Sequence, residues 1–85
     1  MNQQTTEMSF QLLIEEDKIQ GDFIGYIPAL RLGVQGDSLE EVRVNAADLL
    51  QMEIESRLQM GKSLPSDNTA TMERLTISVP LPVEK

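Results

Sequence analysis

The sequence of 85 residues contains no cysteine and no histidine. Without cysteine, neither a disulfide nor a thiolate metal site can form. Without histidine, the usual general base and the commonest metal ligand are missing, and no imidazole is present to activate a serine or threonine hydroxyl. The residues also show no phosphate-binding glycine loop and no calcium-loop spacing. We therefore predict that the chain is not an enzyme and has no catalytic residue, no cofactor and no metal site.

Basic residues are scarce as well. Lysine and arginine together number 7 against 14 aspartate and glutamate residues, which gives a formal net charge of −7. Such a surface repels phosphate, so we expect no direct binding of nucleic acid. It suits a basic protein partner, whose approach would be steered electrostatically. The alternative is that the acidity only keeps the protein soluble.

Long apolar runs are absent too. No stretch approaches the roughly 20 residues that cross a bilayer, and the N-terminal MNQQTTEMSF has no basic segment followed by an apolar run, so we expect a cytoplasmic protein without a signal peptide or membrane span. Residues 1–7 are expected to be disordered, residues 8–80 to form a single domain, and residues 81–85 to be a tail. Because so small a domain has a small core, we also expect a homo-oligomer, either a dimer or a tetramer.

What the sequence does contain is alternation of apolar and polar residues in its first half. A first strand includes Phe10, Leu12 and Ile14 on one face, a second runs from Phe23 to Pro28, and a third from Leu30 to Gln35. The segments between them are short and rich in turn residues. Since only antiparallel neighbours can be joined by tight turns, these three strands are predicted to form an antiparallel meander.

The period then changes to that of a helix. Ser38 and Glu41 form the S-x-x-E pattern of a capping box, and Gly61 is placed to end the helix, so we predict a helix from Ser38 to about Met60. A fourth strand is predicted in ERLTISVPLP, residues 73–82. The resulting fold is α+β, a two-layer β-β-β-α-β arrangement in which one helix covers a sheet of order 3-2-1-4.

Two short motifs within this pattern carry a resemblance to a known family. The first is Gly25-Tyr-Ile-Pro28 at the end of a strand, and the second is Gln35-Gly-Asp-Ser-Leu-Glu-Glu41 at the helix start. In this order and spacing they resemble the HicB-like antitoxin family. The corresponding family-motif residues are Tyr26, Pro28, Gly36, Asp37, Ser38 and Glu41, to which the resemblance assigns structural roles.

The resemblance implies a partial ribonuclease-H-like fold without the nuclease's catalysis. It also implies that the chain binds and neutralises a small basic toxin of the HicA type, which cleaves messenger RNA. Many family members carry a C-terminal DNA-binding domain as well; this sequence resembles a single-domain member that lacks one. The alternative is a solitary, homo-oligomeric HicB-like protein with a structural or regulatory role and no toxin partner.

An acidic cluster supplies the candidate residues for attracting such a partner. The predicted positions lie around the first turn, and they are Glu15, Glu16, Asp17 and Asp22. We expect them to steer a basic protein toward the chain.

Overall fold

The computed structural model describes residues 4–83, which contain three strands and one helix. Strand β1 comprises Leu13–Asp17, β2 comprises Asp22–Ile27 and β3 comprises Leu32–Gly36. Helix α1 comprises Leu39–Met60. The strands form an antiparallel sheet in the order β1-β2-β3, which confirms the predicted α+β class and the meander. The predictions for residues 1–3 and for residues 84 and 85 lie outside the described part of the chain.

Helix α1 packs on one face of the sheet, mainly against β2 and β3. Gly25 of β2 pairs with Ile14 on one side and with Val34 on the other, so these three residues share the face that α1 covers. Within residues 4–83, the fully or almost fully buried apolar side chains are Ile27, Val42 and Ala46. The core is therefore small and lies where α1 crosses β2.

Two tight turns connect the strands. In the first, Gly21 has a φ of 79° and its N–H donates to the Asp17 carbonyl at 2.7 Å. In the second, the Arg31 N–H donates to the Ile27 carbonyl at 2.8 Å. Arg31 has a φ of 55°, a left-handed conformation that glycine adopts far more readily than a residue with a Cβ atom.

Both ends of α1 are capped as the sequence predicts. The Ser38 hydroxyl accepts a hydrogen bond from the Glu41 N–H at 3.0 Å. At the other end Gly61 has a φ of 65°, and the Lys62 N–H donates to the Arg57 carbonyl at 2.9 Å, which is the Schellman arrangement. The reciprocal bond of the capping box, from the Ser38 N–H to the Glu41 carboxylate, is not among the hydrogen bonds of residues 4–83.

The segment for which a fourth strand is predicted has no strand partner in this structure. Among the described residues, no strand follows β3, and residues 71–83 are all exposed. The radius of gyration is 18.3 Å, against about 12 Å for a compact domain of this length, because this segment extends away from the body of the molecule. Of the predicted sheet order 3-2-1-4, the described residues show only the three-stranded part, with the order β1-β2-β3 and no fourth strand.

Helix α1 has the length of a membrane span but not its apolar character. No helix in the described part of the chain combines the two properties.

Candidate protein-binding surface

The sheet face that α1 does not cover carries exposed apolar side chains. Leu13, Ile24 and Tyr26 have exposed fractions of 44%, 42% and 44%. Leu13 lies directly opposite Tyr26, and Glu15 lies directly opposite Ile24, so these four side chains are cross-strand neighbours on one surface. We call this surface, formed by Leu13, Glu15, Ile24 and Tyr26, the open face. The open face exists because β2 has apolar side chains on both of its faces and α1 covers only one of them.

The four acidic residues predicted to attract a partner are brought together at one end of the sheet. Glu15, Glu16 and Asp17 end β1, and Asp22 begins β2 directly opposite Asp17. Within residues 4–83, no group of three or more acidic side chains is arranged to hold a metal ion. The cluster is therefore a concentration of negative charge at the tip of a hairpin.

Two of these acidic side chains take part in the hairpin itself. The Asp17 Oδ1 atom accepts hydrogen bonds from the N–H groups of Ile19 and Gln20 at 3.0 and 3.2 Å, which is a local turn-capping arrangement. Asp22 is half-buried, and its buried Oδ1 atom has no hydrogen-bond partner within the described chain. Glu15 and Glu16 are exposed, and because they are successive strand residues they point to opposite faces.

A bulky apolar side chain stands in the middle of this acidic tip. Ile19 has an exposed fraction of 97%. Together with Ile24 and the residues from Glu15 to Lys18 it lines an open depression of about 440 Å³. Ile19 is not among the site residues predicted from the sequence, although an isoleucine inside a turn otherwise built from charged and polar residues is the signal that indicates it.

The residues of the second motif form the corner between β3 and α1. Gly36 is buried, and a Cβ atom at this position would lie 2.9 Å from the Val42 backbone nitrogen. Ser38 caps the helix through the Glu41 N–H, as described above, and Asp37 is exposed beside it. Gly36 is therefore required by the close approach of α1, and Ser38 by the helix cap.

The residues of the first motif have different surroundings. Pro28 is half-buried in the turn between β2 and β3, where its carbonyl accepts from the Arg31 N–H at 3.2 Å. Tyr26 belongs to the open face and is available for contact with a partner.

In comparisons with family models, with curated proteins and with solved structures, no significant match to this chain is found. The resemblance to HicB-like antitoxins therefore depends on the two motifs and the order of the elements.

Proposed function

We propose that the chain is an antitoxin-like protein-binding module that neutralises a small basic toxin of the HicA type, which cleaves messenger RNA. The observation that supports this proposal best is the open face, an exposed apolar surface on the sheet that continues toward Ile19 at an acidic hairpin tip. Because its target acts on messenger RNA, the proposal places this protein in the cytoplasm. It assigns the chain a binding role and no catalysis of its own.

The open face and the acidic tip beside it supply two contributions that protein interfaces commonly use. Partly buried aromatic and aliphatic side chains supply the contact area at the centre of an interface, and charged groups at its rim accelerate the encounter. Tyr26, Leu13 and Ile24 are suited to the first task and Glu15, on the same face, to the second. Glu16 points to the opposite face and adds to the negative field at the hairpin tip. The net charge of −7 extends the attraction for a basic partner over the whole molecule.

The proposal is tested by capture on the full-length chain, with an Ile24→Asp variant beside it. The lysate of the source cell is passed over both proteins, and bound material is identified by mass spectrometry and weighed by light scattering. We expect the unmodified chain to retain a small basic protein in a stoichiometric complex and to suppress its cleavage of messenger RNA.

Circular dichroism of the Ile24→Asp chain must first show an intact fold. A Gln35→Asp variant is the matched control, since Gln35 lies opposite Ile24 on β3 and is already polar. Loss of binding in the Ile24 variant but not in the Gln35 variant would support the open face as the contact surface. Recovery of no basic ribonuclease, or recovery by the Ile24 variant equal to that by the unmodified chain, would overturn the proposal.

A second candidate is favoured by a different observation. The exposed segment 75–83 is apolar at every second position, which is a surface that a homo-oligomer would bury. On this alternative the chain is a solitary structural or regulatory protein, and the fourth strand of the order 3-2-1-4 forms on self-association. Light scattering decides it: a homo-oligomer that retains no toxin supports the alternative, and a monomer rejects it.

A further inference from the structure

The C-terminal segment, defined here as residues 72–83, carries one uninterrupted row of apolar side chains. Their exposed fractions lie between 65% and 89%, and the row consists of Leu75, Ile77, Val79, Leu81 and Val83. In a strand, residues two apart share a face, so this row would form one apolar side of a β-strand. The residues between them are Thr76, Ser78, Pro80 and Pro82. The segment therefore has the side-chain pattern of an amphipathic strand, and it joins no sheet in one copy of the chain.

Two prolines determine which edge of this strand can be paired. In an extended strand the backbone N–H and C=O of one residue point to one edge, and those of the next residue point to the other. Pro80 and Pro82 both lack an N–H, and both direct their backbone to the same edge. The opposite edge, formed by the backbone of the apolar row, keeps every donor and acceptor. The segment can thus pair along one edge and is blocked along the other.

A free edge of the sheet lies on the outer side of β1. Within residues 4–83, β1 pairs with β2 alone. The other outer strand, β3, is already engaged in part, because the Asn45 side-chain amide of α1 donates to the Gln35 carbonyl at 2.7 Å. The β1 edge is consequently the better acceptor for an added strand.

An apolar groove lies next to the residues that lead into β1. It has a volume of about 690 Å³, and its apolar lining includes Met8, Phe10, Leu50, Ile54 and Leu58. The last three belong to α1, which at 22 residues is about 33 Å long and extends beyond strands of five or six residues. Leu50 and Ile54 are half-buried and Leu58 has an exposed fraction of 62%, so the Leu58 end of the groove offers apolar contact to a strand added beside β1.

The loop after α1 passes close to the start of β1, and the chain then extends away from it. Pro65 is buried, and the Asp67 carboxylate accepts a hydrogen bond from the Gln11 N–H at 2.6 Å, which holds the loop after α1 beside the start of β1. Beyond Ala70 the chain extends outward. A fully extended run of twelve residues spans about 40 Å, which is about half of the molecule's 77 Å long axis. The segment therefore reaches well past its own domain.

We propose that two copies of the chain exchange their C-terminal segments, each segment adding as a fourth strand to the β1 edge of the other copy. This inference rests on the self-association named above as the second candidate function and specifies the contact that produces it. Residues 75–83 include no charged side chain, so their docking adds no repulsion between two acidic bodies. The outer edge of each added strand carries Pro80 and Pro82, which hinders pairing with a further strand there, and because the exchange is reciprocal the assembly is a closed dimer.

The proposal is tested on the full chain by light scattering with two matched variants. Ile77→Asp places a charge in the apolar row, and Ser78→Asp places the same charge at the next position in the other row. The unmodified chain and the Ser78 variant are expected to have twice the 9.5 kDa mass of one chain. The Ile77 variant is expected to have the mass of one chain while circular dichroism shows the same helix content.

A second measurement distinguishes exchange from a strand that folds back on its own β1. Isotope-labelled and unlabelled chains are mixed, unfolded together and refolded, and nuclear Overhauser contacts between the two kinds of chain are recorded. Contacts from Ile77 or Val79 to β1 across the two kinds of chain support exchange. A dimer in which these contacts occur only within one chain overturns the exchange and leaves self-association standing. If the unmodified chain is a monomer, both the exchange and the self-association are overturned. If the Ile77→Asp variant is still a dimer, the apolar row of the C-terminal segment is not the contact that forms it.

Discussion

Val42 of α1 occupies the space that a side chain on Gly25 of β2 would need. The Val42 Cγ1 atom lies 2.7 Å from the position that a Cβ atom on Gly25 would take, and Val34 and Leu12 side-chain atoms lie 3.0 and 3.2 Å from it. The helix is therefore in direct contact with the backbone of the central strand. This close approach explains why a glycine stands in the middle of a strand whose neighbours are bulky.

Gly25→Ala should lower the free energy of unfolding by about 1–3 kcal/mol, because the new methyl group overlaps Val42 and forces the helix outward. Gly33→Ala is the control, since a Cβ atom there would meet its nearest neighbour, the Gly25 carbonyl oxygen, at an ordinary 3.4 Å. Urea unfolding of both variants is the measurement. The double variant Gly25→Ala with Val42→Ala should lose less stability than the two single changes together. Strict additivity would contradict the proposed overlap.

Ser38→Ala should destabilise the protein by about 1 kcal/mol, since it removes the acceptor of the Glu41 N–H at the first turn of α1. For a domain of this size, a loss of that magnitude lowers the melting temperature by about 4–8 °C. Ser38→Asp supplies another good N-cap acceptor and should retain most of the stability. If the alanine and aspartate variants melt at the same temperature, the hydroxyl contributes nothing to the cap.

Arg31→Gly should stabilise the protein by about 0.5–1 kcal/mol, because glycine adopts the φ of 55° without the steric cost that a Cβ atom brings. Arg31→Ala removes the same charge but keeps the Cβ atom, so it should bring no comparable gain. Thermal unfolding monitored by circular dichroism compares the three chains. If the alanine variant gains as much stability as the glycine variant, the effect comes from the lost charge and not from the left-handed backbone conformation of residue 31.

Local features of the chain were well predicted from its sequence. Ser38 and Gly61 mark the ends of the helix because caps depend on a few adjacent residues. The predicted helix and the antiparallel order of the first three strands are accordingly confirmed.

The same sequence patterns could not predict features that depend on contacts between distant parts of the chain. A strand needs a partner edge, and alternation in residues 73–82 cannot tell whether that edge belongs to the same chain or to another. Asp17 and Asp22 illustrate the same limit at the candidate site. Their charges suggested roles in attraction, but one caps the turn and the other is half-buried, and both facts depend on how the hairpin closes.

Reversing the two exposed acidic residues, Glu15→Lys with Glu16→Lys, should slow association with a basic toxin on the order of 10-fold at low ionic strength, because the attractive field near the hairpin is inverted. Glu7→Lys with Asp48→Lys makes the same change in net charge at other exposed positions and should have a smaller effect. Stopped-flow association rates at several salt concentrations are the measurement. Equal slowing by the two pairs would show that only net charge matters.

Proline substitutions in the C-terminal segment test which of its edges is paired in the exchanged dimer. Thr76→Pro removes an N–H from the edge on which Pro80 and Pro82 already have none, so the dimer should persist. Ile77→Pro removes a donor from the opposite edge and should shift the chain to monomer at the same concentration. Ile77→Ala removes the side chain but keeps the N–H, and comparison with it separates lost hydrogen bonding from lost apolar contact. If Thr76→Pro dissociates the dimer as strongly as Ile77→Pro, the segment is not paired through the backbone of its apolar row.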